Sequence, residues 1–188
     1  MDKKITSKST QHLLWVDLEM TSLDPTKDRI LEVAAVITDW DFNEIAMFDS
    51  GVGHDIKEIT SLIDANPFFI KMKENKRALL ELSSQSPPEK VVERLLIDFV
   101  RTHCDTHYPI ILAGNSIHID RQFIKAYWPM LDQLLHYRML DVTSWKLVFE
   151  SKFGQKFEKA ESHRALDDIR ESITEIKQYI GYIHHADS

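Results

Sequence analysis

The run Leu13-Leu14-Trp15-Val16-Asp17-Leu18-Glu19 places two carboxylates inside an apolar segment near the start of the chain. Its length and its large apolar residues are typical of a buried strand. Residues two apart on a strand leave the same face, so Asp17 and Glu19 lie side by side, with Cα atoms about 6–7 Å apart. Buried carboxylates need a partner, and a divalent cation is the usual partner for several together. The alternative is an edge strand that leaves both carboxylates in solvent.

The composition indicates one domain with a full core and an acidic surface. The 188 residues are 43% hydrophobic and include 23 basic and 30 acidic residues, for a net charge of -7. A protein that grips a long nucleic acid normally carries a basic stripe, and this sequence has no run of lysine and arginine. A nucleic-acid substrate would therefore be short or held locally. The single cysteine, Cys104, excludes an internal disulfide and a cysteine-based zinc site.

The two ends of the chain set the expected domain limits. Residues 1–11 are rich in lysine, serine and threonine and lack the apolar core of a secretory signal. We expect a disordered N-terminal extension at 1–11, a single domain over 12–183 and a cytoplasmic protein. No stretch approaches the 18 apolar residues that a membrane helix needs.

The apolar periodicity and the turn residues predict twelve elements. The predicted strands are 13–18, 29–38, 43–52, 109–113 and 138–142. The predicted helices are 59–73 and 74–83, interrupted near Asn66-Pro67, then 86–103 with Ser86 as its cap, 119–127, 129–135, 144–153 and 164–180. Three consecutive strands, followed by alternating helices and strands, predict an α/β fold with a mixed sheet covered by helices.

The C-terminal helix carries two adjacent acids, and its apolar pattern chooses between them. The core face is defined by five residues: Leu166, Ile169, Ile173, Ile176 and Ile180. Asp167 falls nearly opposite this face, whereas Asp168 falls at its edge. Asp168 is therefore the better candidate for a metal ligand. His163 is five residues earlier, a poor spacing for the same helical face, and we expect it in the loop before the helix.

A further acid, Asp120, is predicted in the first turn of a helix that follows the loop Gly114-Asn115-Ser116. An acid there is common because it favours the helix dipole, but a loop that leaves a buried strand is also where functional residues gather. With the other acids it would form the oxygen-rich ligand set that Mg²⁺ and Mn²⁺ prefer. Two such ions can clamp the oxygens of a phosphodiester displacement. His163, with a reference pKa of about 6.5, could deprotonate the attacking water.

The motifs Asp17-Leu18-Glu19, Asp120 and His163-Arg164-Ala165-Leu166-Asp167-Asp168 resemble those of the DEDDh exonuclease superfamily, which has a ribonuclease H-like fold. Within that superfamily, the chain resembles the oligoribonuclease family over residues 16–21, 113–116, 136–138, 140–142 and 162–172. The resemblance implies a mixed five-stranded sheet flanked by helices. It also implies a 3′-to-5′ exoribonuclease that degrades RNA of two to a few nucleotides, dinucleotides above all, to nucleoside 5′-monophosphates.

The resemblance further implies a role for each site residue. Two ions of Mg²⁺ or Mn²⁺ would be bound by Asp17, Glu19, Asp120 and Asp168, and His163 would act as general base. Leu23 would be an apolar wedge between the two bases. Tyr137 and Arg138 would reach across a homodimer to the neighbouring site. There they would cap the 5′ phosphate of the RNA together with Ser116, Thr143 and Ser144.

The sequence departs from the family pattern at two places, and two alternative functions remain. Ser22 replaces a glycine beside the wedge. Residues 66–80 lack the family's tryptophan and histidine, and Phe68 or Phe69 could stack on a base or fill a helical core. A DEDDh exonuclease acting on longer RNA or DNA 3′ ends is disfavoured by His136-Tyr137-Arg138 and by the acidic surface. A catalytically silent nucleotide-binding protein is disfavoured because all four metal-ligand positions and the general-base position carry the residues that catalysis needs.

Overall fold

The computed structural model describes residues 12–71, 73–157 and 165–186. The predicted extension 1–11 and the predicted loop that contains His163 lie outside these residues. Within them the elements are β1 (Leu13–Met20), β2 (Ile30–Thr38), β3 (Glu44–Gly51), α1 (Ile56–Ala65), α2 (Pro67–Lys71), α3 (Lys73–Gln85), α4 (Glu89–His103), β4 (Ile110–Gly114), α5 (His118–Tyr127), α6 (Pro129–Asp132), β5 (Leu135–Asp141), α7 (Val142–Phe153) and α8 (Ala165–Ala186). Among the described helices, none has the length and apolar character needed to cross a membrane.

The five strands form one mixed sheet in the order β3-β2-β1-β4-β5. The pairs β1–β2 and β2–β3 are antiparallel, whereas β1–β4 and β4–β5 are parallel. The predicted α/β class with a mixed five-stranded sheet is thus confirmed. Because β1, β4 and β5 run in the same direction, their carboxyl ends meet at one edge of the sheet. Ligands of open α/β sheets bind at such an edge.

The first strand lies at the centre of the sheet and is buried on both faces. On one face, Leu14 and Val16 pack against α4 and α5. On the other face, Leu13 and Trp15 pack against α7 and α8. This placement excludes the alternative of an edge strand with its two carboxylates in solvent. Burial on both faces also explains why β1 is apolar at nearly every position up to Asp17.

Several predicted boundaries were wrong, each for a local reason. Ser86 does not cap α4, because its hydroxyl donates to the carbonyl of Leu82 and the cap position is Pro88. The helix α1 begins earlier than predicted because the Asp55 carboxylate accepts hydrogen bonds from two amides of its first turn. The helix α6 ends at Asp132, and the following residues pair with β4, so β5 begins at Leu135. The last helix continues to Ala186 rather than ending at 180.

Candidate active site at the carboxyl ends of the strands

Three carboxylates converge at the carboxyl end of the central strand. Asp17 and Glu19 leave the same face of β1, and Asp168 approaches them from the first turn of α8. One carboxylate oxygen from each lies within 4.8 Å of the others. Asp168 is half-buried whereas its neighbour Asp167 is exposed, as the periodicity of this helix predicted. A convergent set of carboxylate oxygens fits a hard divalent cation such as Mg²⁺ or Mn²⁺.

The fourth predicted acid, Asp120, lies in the first turn of α5 and is only 6% exposed. Its carboxylate accepts a hydrogen bond from the backbone amide of Leu18, at 2.9 Å. Since Leu18 lies between the two acids of β1, this bond brings Asp120 beside the three converging carboxylates. Asp120 is not itself one of the three that meet within 4.8 Å.

Burial and mutual repulsion raise the pKa of two of these acids. The pKa of Glu19 is raised to about 7, mainly by burial and further by the charges of Glu32 and Asp168. The pKa of Asp120 is also raised to about 7, again mainly by burial, with repulsion from Glu19 and Asp141 adding to it. A nearby cation favours the charged form of a carboxylate. A divalent cation would therefore offset the cost of ionising this cluster.

A fifth acid at this edge, Glu32, was not identified from the sequence. It lies on β2 directly opposite Glu19 in the antiparallel register. The available signal was a single charged residue inside the apolar run of β2, Ile30-Leu31-Glu32-Val33-Ala34-Ala35-Val36-Ile37. A charged residue inside a buried strand needs a partner, as Asp17 and Glu19 do.

A second group of polar residues lies where β4 and β5 end. The amide of Ser116 donates to Thr143 Oγ1 at 2.8 Å and to Asp141 Oδ1 at 3.1 Å. The hydroxyls of Ser116 and Thr143 lie 3.1 Å apart. The structure therefore brings these two predicted residues together, and the exposed Ser144 follows them on α7.

The backbone of this turn has little freedom. Ser116 adopts a φ of 48°, a left-handed conformation that is uncommon outside glycine. At Gly114, an added Cβ would lie 2.9 Å from the carbonyl oxygen of Val16. Only glycine therefore allows β4 to end so close to β1, and the turn carries Ser116 directly beside the acid-bearing strand.

The wedge candidate Leu23 is 65% exposed and lies in the loop after β1. This loop is held by Asp28, whose carboxylate accepts hydrogen bonds from the Thr21 hydroxyl at 2.9 Å and from the Asp24 amide at 3.0 Å. The side-chain amide of Asn66 donates to the Thr21 carbonyl at 2.8 Å, so the divergent segment 66–80 contacts the same loop.

The two phenylalanines of that segment have different environments. Phe69 is 4% exposed and packs in a small cluster with Leu31, Ile59 and Ile63. Phe68 is 55% exposed, and the ring centroids of the pair are 5.3 Å apart. Phe69 therefore has the core role that the sequence left open. Phe68 presents an aromatic ring to solvent, two residues after the Asn66 that contacts the loop carrying Leu23.

Tyr137 and Arg138 lie on β5, an edge strand of the sheet. Tyr137 is 74% exposed, with the Arg138 guanidinium 5.3 Å from the centre of its ring. The ring of His136 also stacks on that of Tyr137, with the two centroids 4.5 Å apart. Together, the half-buried His136 and the exposed Tyr137 and Arg138 form an aromatic and basic group on this strand.

A mixed sheet of this order, with acids from β1, α5 and α8 gathered at the carboxyl ends of its strands, is the arrangement expected of a metal-dependent exonuclease. The RNase_T exonuclease family model matches residues 14–176, and the chain belongs to that family. Among curated relatives, an oligoribonuclease of Francisella tularensis subsp. novicida is 40% identical over 173 residues, 92% of this chain and 96% of its own. An oligoribonuclease of Corynebacterium diphtheriae is 40% identical over 172 residues, 89% of this chain and 80% of its own. The chain is therefore a hydrolytic exoribonuclease of the oligoribonuclease type.

Solved structures support the fold. A zinc-bound complex of E. coli exonuclease I with single-stranded DNA has a TM-score of 0.61 at 12% identity, covering 94% of this chain and 43% of that one. A moderately thermophilic exonuclease I from Methylocaldum szegediense has a TM-score of 0.59 at 14% identity, covering 90% and 40%. This chain spans about two fifths of those enzymes, and the similarity confirms the expected ribonuclease H-like fold.

Proposed function

We propose that this enzyme acts in the cytoplasm on single-stranded RNA of two to a few nucleotides. It removes nucleoside 5′-monophosphates from the 3′ end and uses two divalent metal ions. The observation that carries the proposal is the convergence of the Asp17, Glu19 and Asp168 carboxylates at the end of β1, with Asp120 beside them. The name of the curated relatives, oligoribonuclease, supports the same substrate class.

The proposed chemistry divides between the metal ions and the protein. When bound by Asp17, Glu19, Asp120 and Asp168, two Mg²⁺ or Mn²⁺ ions supply charge stabilisation for the attacking and leaving oxygens of the phosphodiester. Asp120 is buried and the other three acids are half-buried, which limits competing water. The strand and helices that carry the acids would fix the position of the ions and, through them, the orientation of the scissile phosphate. His163, which lies outside the described residues, is proposed to take the proton of the attacking water.

The proposed substrate contacts come from the loop after β1 and from the turn where β4 and β5 end. Leu23, exposed on its loop, separates the two bases, and Phe68 offers a further aromatic surface. Ser116, Thr143 and Ser144 form the proposed pocket for the 5′ phosphate, and the hydroxyls of Ser116 and Ser144 donate to it. A site closed at the 5′ end favours a terminal phosphate over a continuing chain, which fits a protein whose net charge is -7.

We propose a homodimer in which Tyr137 and Arg138 complete the neighbouring site. Both lie on an exposed edge strand. A groove of about 800 Å³ between α7 and α8 is lined largely by apolar side chains, including Trp145, Val148, Phe153, Tyr182 and Ile183. Exposed apolar surface of this kind is typical of an interface, and a second copy of the chain is its proposed occupant.

Subunit mixing tests the shared site. Asp17→Ala and Tyr137→Ala proteins are each assayed alone and after exchange with the other. Random exchange would make half of the dimers mixed, each with one complete site, so activity should recover to about a quarter of wild type. Each variant exchanged with itself is the control. No recovery after verified exchange would contradict the shared site.

A length series tests the proposed function itself. Turnover is measured for 5′-labelled RNAs of two, four, seven and twenty nucleotides, each with Mg²⁺, with Mn²⁺ and with chelator. We expect fast, metal-dependent loss of the dinucleotide and a steep fall in rate with length. Equal or rising rates would indicate a general exonuclease of the same superfamily. Absence of cleavage under every condition would indicate a nucleotide-binding role.

A further inference from the structure

A partly buried chain of hydrogen bonds joins the helix that carries Asp168 to the turn that carries Ser116. At its centre, the side-chain amide of Asn115 donates to the Ser172 hydroxyl at 2.6 Å. Ser172 in turn donates to the backbone carbonyl of Asp168 at 2.8 Å. On the other side, the Thr143 hydroxyl donates to Asn115 Oδ1 at 3.3 Å and accepts the Ser116 amide at 2.8 Å.

We propose that Asn115 is a positioning residue that holds the Ser116–Thr143 pair at a set distance from the acid cluster. This inference rests on the proposed function, in which the acids take the scissile phosphate and the pair takes the 5′ phosphate. The separation of these two groups then selects the length of the RNA. A fixed separation also raises the rate for the substrate that fits it, because the reacting groups need no further alignment.

The α8 side of the chain is anchored in the core. Ser172 and Glu175 lie four and seven residues after Asp168, on the same face of the helix, and they are 4% and 0% exposed. Glu175 accepts a hydrogen bond from the Tyr179 hydroxyl at 2.8 Å and a longer one from the Asn115 amide at 3.4 Å. On this buried side, a satisfied network favours one arrangement, since a shift of α8 would leave Ser172 or Glu175 without a partner.

The chemistry of the amide explains why an asparagine suits this position. Its NH₂ group donates to Ser172 and Glu175, while its oxygen accepts from Thr143. An aspartate would keep the acceptor but lose both donors and would add a charge beside Glu175. A leucine of similar size would lose every link. Through these side-chain hydrogen bonds, Asn115 connects Thr143 on α7 to Ser172 and Glu175 on α8.

Two variants and a matched control test the proposal by kinetics. Asn115→Ala removes the centre of the chain, and Ser172→Ala cuts one link while leaving Asn115 in place. Ser83→Ala is the control, because Ser83 is another buried serine that donates to a backbone carbonyl, that of Val52 at 2.8 Å. The quantity measured is the ratio of kcat/KM for the dinucleotide with a 5′ phosphate to that without one.

The expected outcome is a change in selectivity rather than in activity alone. Loss of a positioning hydrogen bond should lower this ratio about fivefold to tenfold in Asn115→Ala and Ser172→Ala and leave it unchanged in Ser83→Ala. An equal loss on both substrates, with the ratio preserved, would reduce Asn115 to a purely structural role and overturn the proposal.

A second readout does not depend on cleavage. In the wild-type protein, the amide resonance of Ser116 should shift during titration with Mg²⁺, because the network transmits ordering of Asp168 to this turn. The shift should be at least halved in Ser172→Ala and retained in Ser83→Ala. A full response in Ser172→Ala would overturn the proposal. A transmitted response in a protein that cleaves no RNA would instead reject the proposed function and leave the link between Asn115 and Asp168 intact.

Discussion

The backbone amide of Leu18 and the carboxylate of Asp120 are joined by a 2.9 Å hydrogen bond across 102 residues of sequence. The ladder between β1 and β4 ends at the pair of Trp15 with Ala113, so Leu18 lies beyond it. The Leu18 amide therefore has no acceptor on β4, and the Asp120 carboxylate takes that place. One carboxylate thus docks α5 on β1 and stands beside the other three proposed metal ligands.

Replacing Asp168 with asparagine should lower dinucleotide turnover by more than about a hundredfold, since loss of an outer partner of a metal ligand already costs roughly tenfold to a hundredfold. The matched control is Asp167→Asn, which removes the same charge from the exposed side of the same turn. Activity and Mn²⁺ affinity are measured for both. Similar losses in the two variants would point to a general charge effect and against Asp168 as a ligand.

The affinity for divalent metal should rise with pH up to about 7 and then level off. The pKa of Glu19 and that of Asp120 are each raised to about 7, so both acids bind protons below this pH. Metal binding must displace those protons. Each proton released strengthens binding by about tenfold per pH unit below the pKa. Titration of the metal-free protein with Mn²⁺ between pH 5.5 and 8.5 measures this, and a flat profile would contradict it.

Asp120→Asn should stabilise the metal-free protein at pH 8 by about 1–3 kcal/mol and have little effect near pH 4. The folded-state pKa of about 7 exceeds the usual value of 3.8. The native protein therefore retains a proton that the unfolded chain loses, and its stability falls as pH rises from about 4 to 7. Asparagine removes that cost and keeps an acceptor for the Leu18 amide. Urea unfolding in chelator at both pH values provides the test; a gain of the same size at both would exclude a titration effect.

Arg138→Ala should lower kcat/KM for short RNA substrates that carry a 5′ phosphate. Loss of a hydrogen bond to a charged group costs about 1.5–3 kcal/mol, which is roughly tenfold to a hundredfold in kcat/KM. The loss should be less than about twofold for a twenty-nucleotide RNA. Arg101→Ala, at an exposed arginine in the last turn of α4, is the control. Equal losses across substrate lengths would refute a phosphate cap.

Strong periodic patterns made much of the fold predictable. The alternating faces of β1 located Asp17 and Glu19 on one side, and the apolar stripe of α8 separated the half-buried Asp168 from the exposed Asp167. The break at Asn66-Pro67 was also predicted correctly. Each of these features depends on residues within a few positions of one another, where spacing alone determines which side chains share a face.

Features that depend on distant partners were less predictable. The strand β5 begins earlier than expected because Leu135 pairs with Ile110 on β4, and nothing in the local pattern records that pairing. The link between Asn115 and Ser172 joins residues 57 positions apart. Glu32 becomes part of the acidic edge only through its register with Glu19. Register and helix docking are properties of the assembled sheet, which single segments do not encode.

The most direct test of the proposed metal centre is an anomalous-scattering map from crystals grown with Mn²⁺ and a dinucleotide. We expect two manganese peaks held by the carboxylates of Asp17, Glu19, Asp120 and Asp168. Manganese bound elsewhere, with these carboxylates free of metal, would contradict the proposed active site.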